Sequence, residues 1–229
     1  MSEDRRSVLE SIRRGRRRGE LAADARKALE ARLASPAPGP IPARAQLDHK
    51  RQVDLFVAMA KEASVTVARV ADAAAVPGAV AEYLARENLP AQLRLAPDPE
   101  VTGLAWHTRP LLTVSSGDTR GGDAVSLTPA FAGVAETGTL ALTSGATTPT
   151  TLNLLPDTHI VLLPADRVVG SYEEVWQRLR ARFGAGRMPR TVNFITGPSR
   201  SADIEQTLQM GAHGPRRLHI ILLDGQAET

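Results

Sequence analysis

The stretch His159 to Leu163, HIVLL, limits the choice of fold more than any other, because a strand with no polar alternation has no face to give to water. Such a strand belongs inside a sheet that is covered on both sides. Segments of strand and helix character alternate around it. Strands are expected at Val65 to Val70, Gln92 to Leu95, Leu111 to Val114, Ala124 to Leu127, Thr139 to Thr143, Thr191 to Thr196 and Leu218 to Leu223. Helices are expected at Ala43 to Ala63, Val76 to Glu87 and Ser171 to Phe183. Pro77 suits a first helical turn, Asn88 a helix end, and Ser171 with Glu174 three positions later makes a capping box. This alternation predicts an α/β fold, a three-layer arrangement with helices on both faces of the sheet. Ala124 to Leu127 and Thr139 to Thr143 are expected to form an antiparallel pair.

The N-terminal part is of a different kind. Residues 1–34 read as a helical arm in two pieces, with Val8, Leu9 and Ile12 and then Leu21, Ala25, Leu29 and Leu33 near helical spacing, and with Gly15 and Gly19 weakening the join. Residues 35–42, SPAPGPIP, hold four prolines and one glycine and form a stiff linker; the α/β domain then runs over 43–229. The formal charge of +3 comes from the arm, whose first 35 residues carry nine Arg and one Lys against six acids. The run Arg13 to Arg18 has no interleaved aromatics and no recognition-helix motif, so it reads as a solvated or partner-docking face, not a nucleic-acid site. No apolar run approaches the roughly 20 residues of a membrane span, and no apolar segment follows Arg5-Arg6 as in an export signal. A cytoplasmic protein is expected. With no cysteine, the chain cannot form disulfides, thiolate zinc sites or cysteine-ligated iron-sulfur clusters of its own.

Two patches stand out as candidate chemistry. Thr191 to Glu205, TVNFITGPSRSADIE, reads as a strand, a tight Gly197-Pro198-Ser199 turn and a helix, Ala202 to Met210, that Ser201 caps and Gly211 closes. In an open α/β sheet, such corners at the carboxyl ends of strands collect ligands. Backbone N–H groups there can hold an anion with Arg200 as charge partner, although Asp203 and Glu205 in the first turn would oppose a phosphate. The second patch is Gly133 to Thr139, GVAETGT. Glu136 lies among Phe131, Val134, Leu140 and Leu142, where an ionised carboxylate calls for a partner such as an arginine. It can serve as base, nucleophile or substrate orienter. Alternatively, residues 136–139 turn a hairpin, with Gly138 at positive φ and the acid facing water. A third loop, Gly211 to Pro215, carries His213, either an acid-base group or a plain loop histidine, beside Gly214. The site is expected between the first two patches: Glu136 and His213 as catalytic candidates, with Gly133, Thr137, Gly138, Thr139, Gly197, Ser199, Arg200, Ser201, Asp203 and Gly214 binding ligand.

Known nucleotide motifs are absent: nothing matches GxxxxGK[ST], and Gly184-Ala185-Gly186 follows a helix, not a strand. GPSRS ends in Ser201 where a nucleophile elbow needs glycine. The five histidines, 49, 107, 159, 213 and 219, show no metal-ligand spacing, so no metal site is expected.

Taken together, AFAGVAETGTLAL (Ala130 to Leu142), LLPDTHIVLL (Leu154 to Leu163), ITGPSRSADIE (Ile195 to Glu205) and GAHGPRRLHIILL (Gly211 to Leu223) resemble the lactate-utilisation protein C family, the single-chain form of the LUD domain; SVLESIRRG resembles its opening helix. The resemblance implies a fold similar to glucosamine-phosphate deaminase, ribose-phosphate isomerase and the CoA transferases. It also implies a part in oxidising L-lactate to pyruvate together with two iron-sulfur partner proteins, which would hold the clusters, and it admits a small carboxylate substrate. Glu136-Thr137-Gly138 looks similar to the Glu-x-Gly of the CoA transferases, whose glutamate is a nucleophile. Thr150 stands where many relatives carry an arginine, leaving Arg200 or Arg109 to grip a carboxylate. A free-standing enzyme binding CoA, folate or a sugar phosphate, and a pure interaction subunit docking through its arm, are the alternative readings.

Overall fold

In the computed structural model, which describes residues 3–16, 19, 21–184, 186–201 and 209–225, the apolar run is the core of a strand buried from Thr158 to Leu163. The chain divides into two compact units, Met1–Gly39 and Pro40–Thr229. The first holds helices α1 (Glu3–Gly15) and α2 (Ala23–Ala34). Their apolar positions Val8, Leu9, Ile12, Leu29 and Leu33 are exposed.

The second unit contains, in order, α3 (His49–Glu62), β1 (Thr66–Val70), α4 (Val76–Arg86), β2 (Gln92–Leu95), α5 (Pro99–Thr102), β3 (Thr113–Ser116), β4 (Val125–Pro129), β5 (Ala132–Val134), β6 (Thr139–Thr143), α6 (Thr151–Leu154), β7 (Thr158–Pro164), β8 (Val168–Val169), α7 (Tyr172–Phe183), β9 (Val192–Ile195), β10 (Arg200–Ser201), β11 (Gln209–Met210) and β12 (Arg217–Leu223). Six of the strands form a parallel sheet in the order β1-β12-β7-β4-β2-β3. Because side chains alternate along a strand, β7 sends Val161 and Leu163 to one face and Ile160 and Leu162 to the other. The second face packs on α4 through Val76, Val80, Tyr83 and Leu84, with Val101 of α5 and Leu152 of α6.

The first face is covered by α3 and by a second sheet, in the order β8-β5-β6-β9, which the sequence pattern did not announce. Phe56 of α3 is fully buried between the two sheets, a contribution of about 1.5–3 kcal/mol from one side chain. Helix α7 covers the far side of the second sheet with Val175 and Leu179, and its capping box forms: Glu174 Oε2 accepts from Ser171 N at 2.8 Å.

Several expectations are corrected. Ala43 to Ala63 is not one helix; a single turn at Ala43–Ala45 ends, and Asp48 starts α3 afresh by accepting from Arg51 N at 3.0 Å. The strand expected at Leu111 begins at Thr113, leaving Leu111 exposed. Strands β4 and β6 do not pair with each other: β4 lies parallel to β7 and β2, while β6 pairs antiparallel with β5 and β9. The last two residues of the expected helix Ala202 to Met210 form β11 instead, antiparallel to β10, which ends at Ser201. Residues 202–208, Asp203 among them, lie outside the described residues.

The packing of α3 yields a first prediction. Gly138 has φ 65°, and a Cβ there would fall within van der Waals contact of the Met59 and Ala60 backbone. Gly138→Ala should cost about 3 kcal/mol or more, from strain plus overpacking, which lowers the melting temperature by roughly 10 °C. Gly186→Ala has a similar φ of 70° but open space around the new methyl, and should cost only about 1 kcal/mol. Thermal denaturation of the two variants side by side checks the difference.

Candidate functional site

The patch around Glu136 is a hairpin. Val134 faces Thr139 in the β5–β6 register, so residues 135–138 make the turn and Gly138 supplies its positive φ. The acid nevertheless turns inward and is only 6 % exposed. Its compensation comes from backbone: Oε1 accepts from Tyr172 N at 3.3 Å, at the first residue of α7, where unpaired N–H groups and the helix dipole favour negative charge. No arginine pairs with it among the described residues, which corrects the expectation of an arginine partner. The Glu136 N–H also donates to Gly170 O at 3.2 Å.

Beside the acid lies a cluster of hydroxyls. Thr137 Oγ1 is 2.7 Å from Thr139 Oγ1 and 3.0 Å from the Tyr172 hydroxyl, which is 2.9 Å from Thr139 Oγ1; Thr139 also bonds to Thr196. This network ties the hairpin to α7 and to the end of β9. It thereby joins the two patches that the sequence singled out. Gly133 sits flat under them, where a Cβ would stand 2.9 Å from Leu163 and Phe56.

From Thr196 the chain enters the Gly197-Pro198-Ser199 turn. Gly197, at φ 87°, lets the turn lie on Ala63 O at the end of α3. Ser199 then binds the loop before β12 on three sides: its N–H donates to Pro215 O (2.8 Å), its carbonyl accepts from Gly211 N (2.9 Å), and its Oγ accepts from His213 N (3.3 Å). A Cβ at Gly214 would stand 3.5 Å from Ser199 Cβ. Arg200 turns away and donates to Ala63 O at 3.3 Å, capping the C-terminal end of α3, and the His213 side chain is exposed. Arg109 is elsewhere, against Gly78 of α4.

The two loops enclose a cavity of about 100 Å³, lined among others by Asn153, His159, Ser199, His213 and Leu218, with room for roughly three waters. Glu136 does not line it. His159 and Leu218 are second residues of their strands, so the cavity lies at the amino ends of the parallel sheet. The corner was expected at carboxyl ends; its strand, β9, belongs instead to the second sheet and runs antiparallel to β6. His159 is fully buried, with Nε2 2.8 Å from Thr128 Oγ1 and Nδ1 without a partner among the described residues. Burial lowers its pKa to about 3, so it is a neutral hydrogen-bonding group at ordinary pH. His219 behaves alike on the other face: it stacks on Tyr83 at 3.8 Å, bonds to Thr66 through Nδ1, and burial lowers its pKa to about 4. Sequence reasoning passed over His159, Asn153 and Tyr172. The available signal was a lone histidine in an otherwise apolar strand.

The donor set does not suit an iron-sulfur cluster on this chain, since there is no cysteine to ligate one. Among the described residues no group of three or more His, Asp or Glu could hold a metal ion, and no helix is long and apolar enough to cross a membrane.

Residues 123–223 match the family model of the LUD domain. Curated relatives include lactate utilization protein C of Shouchella clausii, 38% identical over 91 residues that make up 40% of this chain and 40% of the relative. The protein of that name from Halalkalibacterium halodurans is 39% identical over 92 residues, 40% of each chain, and that from Bacillus subtilis 37% over 91 residues, 39% of this chain and 38% of the relative. The chain thus spans about two fifths of the length of the curated relatives it matches. Among solved structures, a DUF162 family protein from Deinococcus radiodurans shares the fold with a TM-score of 0.59 and 24% identity, covering 78% of this chain and 99% of its own.

Two predictions follow from the buried polar groups. Both histidines have folded pKa values below the unfolded value of about 6.5, so their contribution to stability is full above that pH and is lost as pH falls toward 4. Each adds a slope of about 1.4 kcal/mol per pH unit in that window; denaturant titrations at pH 6 and 5 should show the slope reduced by that amount in His219→Gln. Glu136→Gln keeps an oxygen facing Tyr172 N and loses only the charge at the helix end, so it should cost under about 1 kcal/mol. Glu136→Leu leaves that half-buried N–H without its acceptor and should cost about 2 kcal/mol, read by the same denaturant titration.

Proposed function

We propose, on the premise that residues 123–223 are a LUD domain, that this chain serves lactate utilisation as a subunit working with iron-sulfur partner proteins in the oxidation of L-lactate to pyruvate. The observation that carries the reading is the identity of 37–39% to proteins named lactate utilization protein C. The chemistry is compatible with a divided task. Conversion of lactate to pyruvate removes two electrons and two protons from the C2 carbon and its hydroxyl, and a chain with no cysteine leaves cysteine-ligated electron carriers to other subunits. On this reading the present chain contributes binding and assembly through its two packed sheets. The exposed apolar residues Val8, Leu9 and Ile12 of α1 supply a surface on which a partner can rest.

The test is growth. A strain lacking the gene should fail to grow on L-lactate as sole carbon source, grow normally on pyruvate, and recover on lactate when the gene is restored. Equal growth of the deletion strain on both carbon sources removes the proposal.

A further inference from the structure

The topology of the parallel sheet marks one crevice above the others. Strands β2 and β4 are neighbours, yet the chain leaves β2 toward the edge strand β3 and leaves β4 in the opposite direction, toward β7. Where connections diverge like this, the loops beyond the carboxyl ends of the two strands part and open a cleft, the place at which open α/β sheets bind ligands.

That cleft is present. Beyond β2 lie Asp98 and Glu100, beyond β4 lie Ala130 and Phe131, and between them is a cavity of about 240 Å³ closed by Arg167 and Arg182. Its walls are fixed by their own bonds. Arg167 Nη1 donates to Glu100 Oε2 and to Ala130 O, both at 2.9 Å. Asp98 accepts from Glu100 N at 3.0 Å and from Thr147 Oγ1 at 2.9 Å. Thr148 donates to Thr143 O at 2.8 Å. Glu100 is half-buried, and burial raises its pKa against the opposing pull of Arg167.

One cation is left over. The guanidinium of Arg182 lies 5.8 Å from the ring centres of both Phe131 and Phe183, and no carboxylate comes within 4 Å of it among the described residues. A planar, weakly hydrated guanidinium held on aromatic faces is shaped for bidentate pairing with a carboxylate. Two arginines and two acids make the cavity neutral, so a single negative charge is accepted, whereas a dianion would meet Asp98 and Glu100. Those same carboxylates accept hydrogen bonds from hydroxyl groups.

We propose that the cavity between the carboxyl ends of β2 and β4 binds a small hydroxylated monocarboxylic acid, its carboxylate on Arg182 and a hydroxyl on Glu100 or Asp98. The assignment rests on this cavity and not on the lactate reading. Titration calorimetry and thermal shift on the full chain, with L-lactate, D-glycerate and D-gluconate as probes and inorganic phosphate as the comparison, test it. At least one hydroxy acid should bind and raise the melting temperature, and phosphate should not. Arg182→Ala, an exposed position, should keep the unliganded melting temperature and weaken the hydroxy acid tenfold or more, while Arg200→Ala leaves it unchanged. Absence of binding by all three acids, equal binding of phosphate, or full affinity in Arg182→Ala overturns the proposal. Failure of the deletion strain to grow on lactate, alongside any of these results, shows that the functional reading stands without this cavity.

Discussion

Helix α3 can lie between the two sheets because the chain withholds side chains wherever another backbone must touch this segment. A Cβ at Gly138 would strike the backbone of Met59 and Ala60, one at Gly197 would strike Ala63 O, and one at Gly170 would strike Ala45 O. Gly133 does the same for the ring of Phe56. The hairpin tip, the turn after β9 and the approach to α7 are therefore all positioned against one helix and its flanking turns. Every candidate residue of the hairpin and twin loops inherits its place from that contact, since Glu136 and Thr137 precede Gly138 and Ser199 follows Gly197.

Much of the architecture was legible. The apolar run at His159, the capping box of Ser171 and Glu174, and Pro77 in the first turn of α4 each carry a local physical signal, and each element formed near its expected bounds. Pairing was less legible, because periodicity says which face of a strand is buried but not which strand lies beside it. So β4 and β6, similar in pattern, fall in different sheets. The same limit explains Glu136. Its burial could be read from its neighbours, but its partner is a backbone N–H at the start of α7, and backbone donors leave no trace in composition. His159 was hidden for the opposite reason: a neutral buried imidazole behaves as part of an apolar strand until its unpartnered Nδ1 is seen.

The two ends of the parallel sheet differ in character. At the amino ends, the twin loops of Ser199 and Gly214 close over a small cavity in whose wall the buried His159 stays uncharged. At the carboxyl ends, a larger cavity is framed by two arginines and two acids. Charge collects where the strand connections diverge and is avoided where loops pack against the core. Residues 197–199 and 211–215 satisfy one another's backbone groups, whereas beyond β2 and β4 the side chains of Arg167 and Thr147 add an ion pair to Glu100 and hydrogen bonds to Ala130 O and Asp98.

Strand β12 sits between β1 and β7 in the sheet, although residues 217–223 come some 150 positions after residues 66–70. During synthesis β1 therefore emerges with no neighbour in the sheet and waits until nearly the whole domain has left the ribosome before it can be paired. Closing so long a loop costs entropy before any ladder bond is gained, which slows folding and leaves an unpaired edge exposed in the nascent chain. The helices on either side of β1, α3 and α4, both touch it in the folded domain and, being built from local contacts, need no distant segment to form.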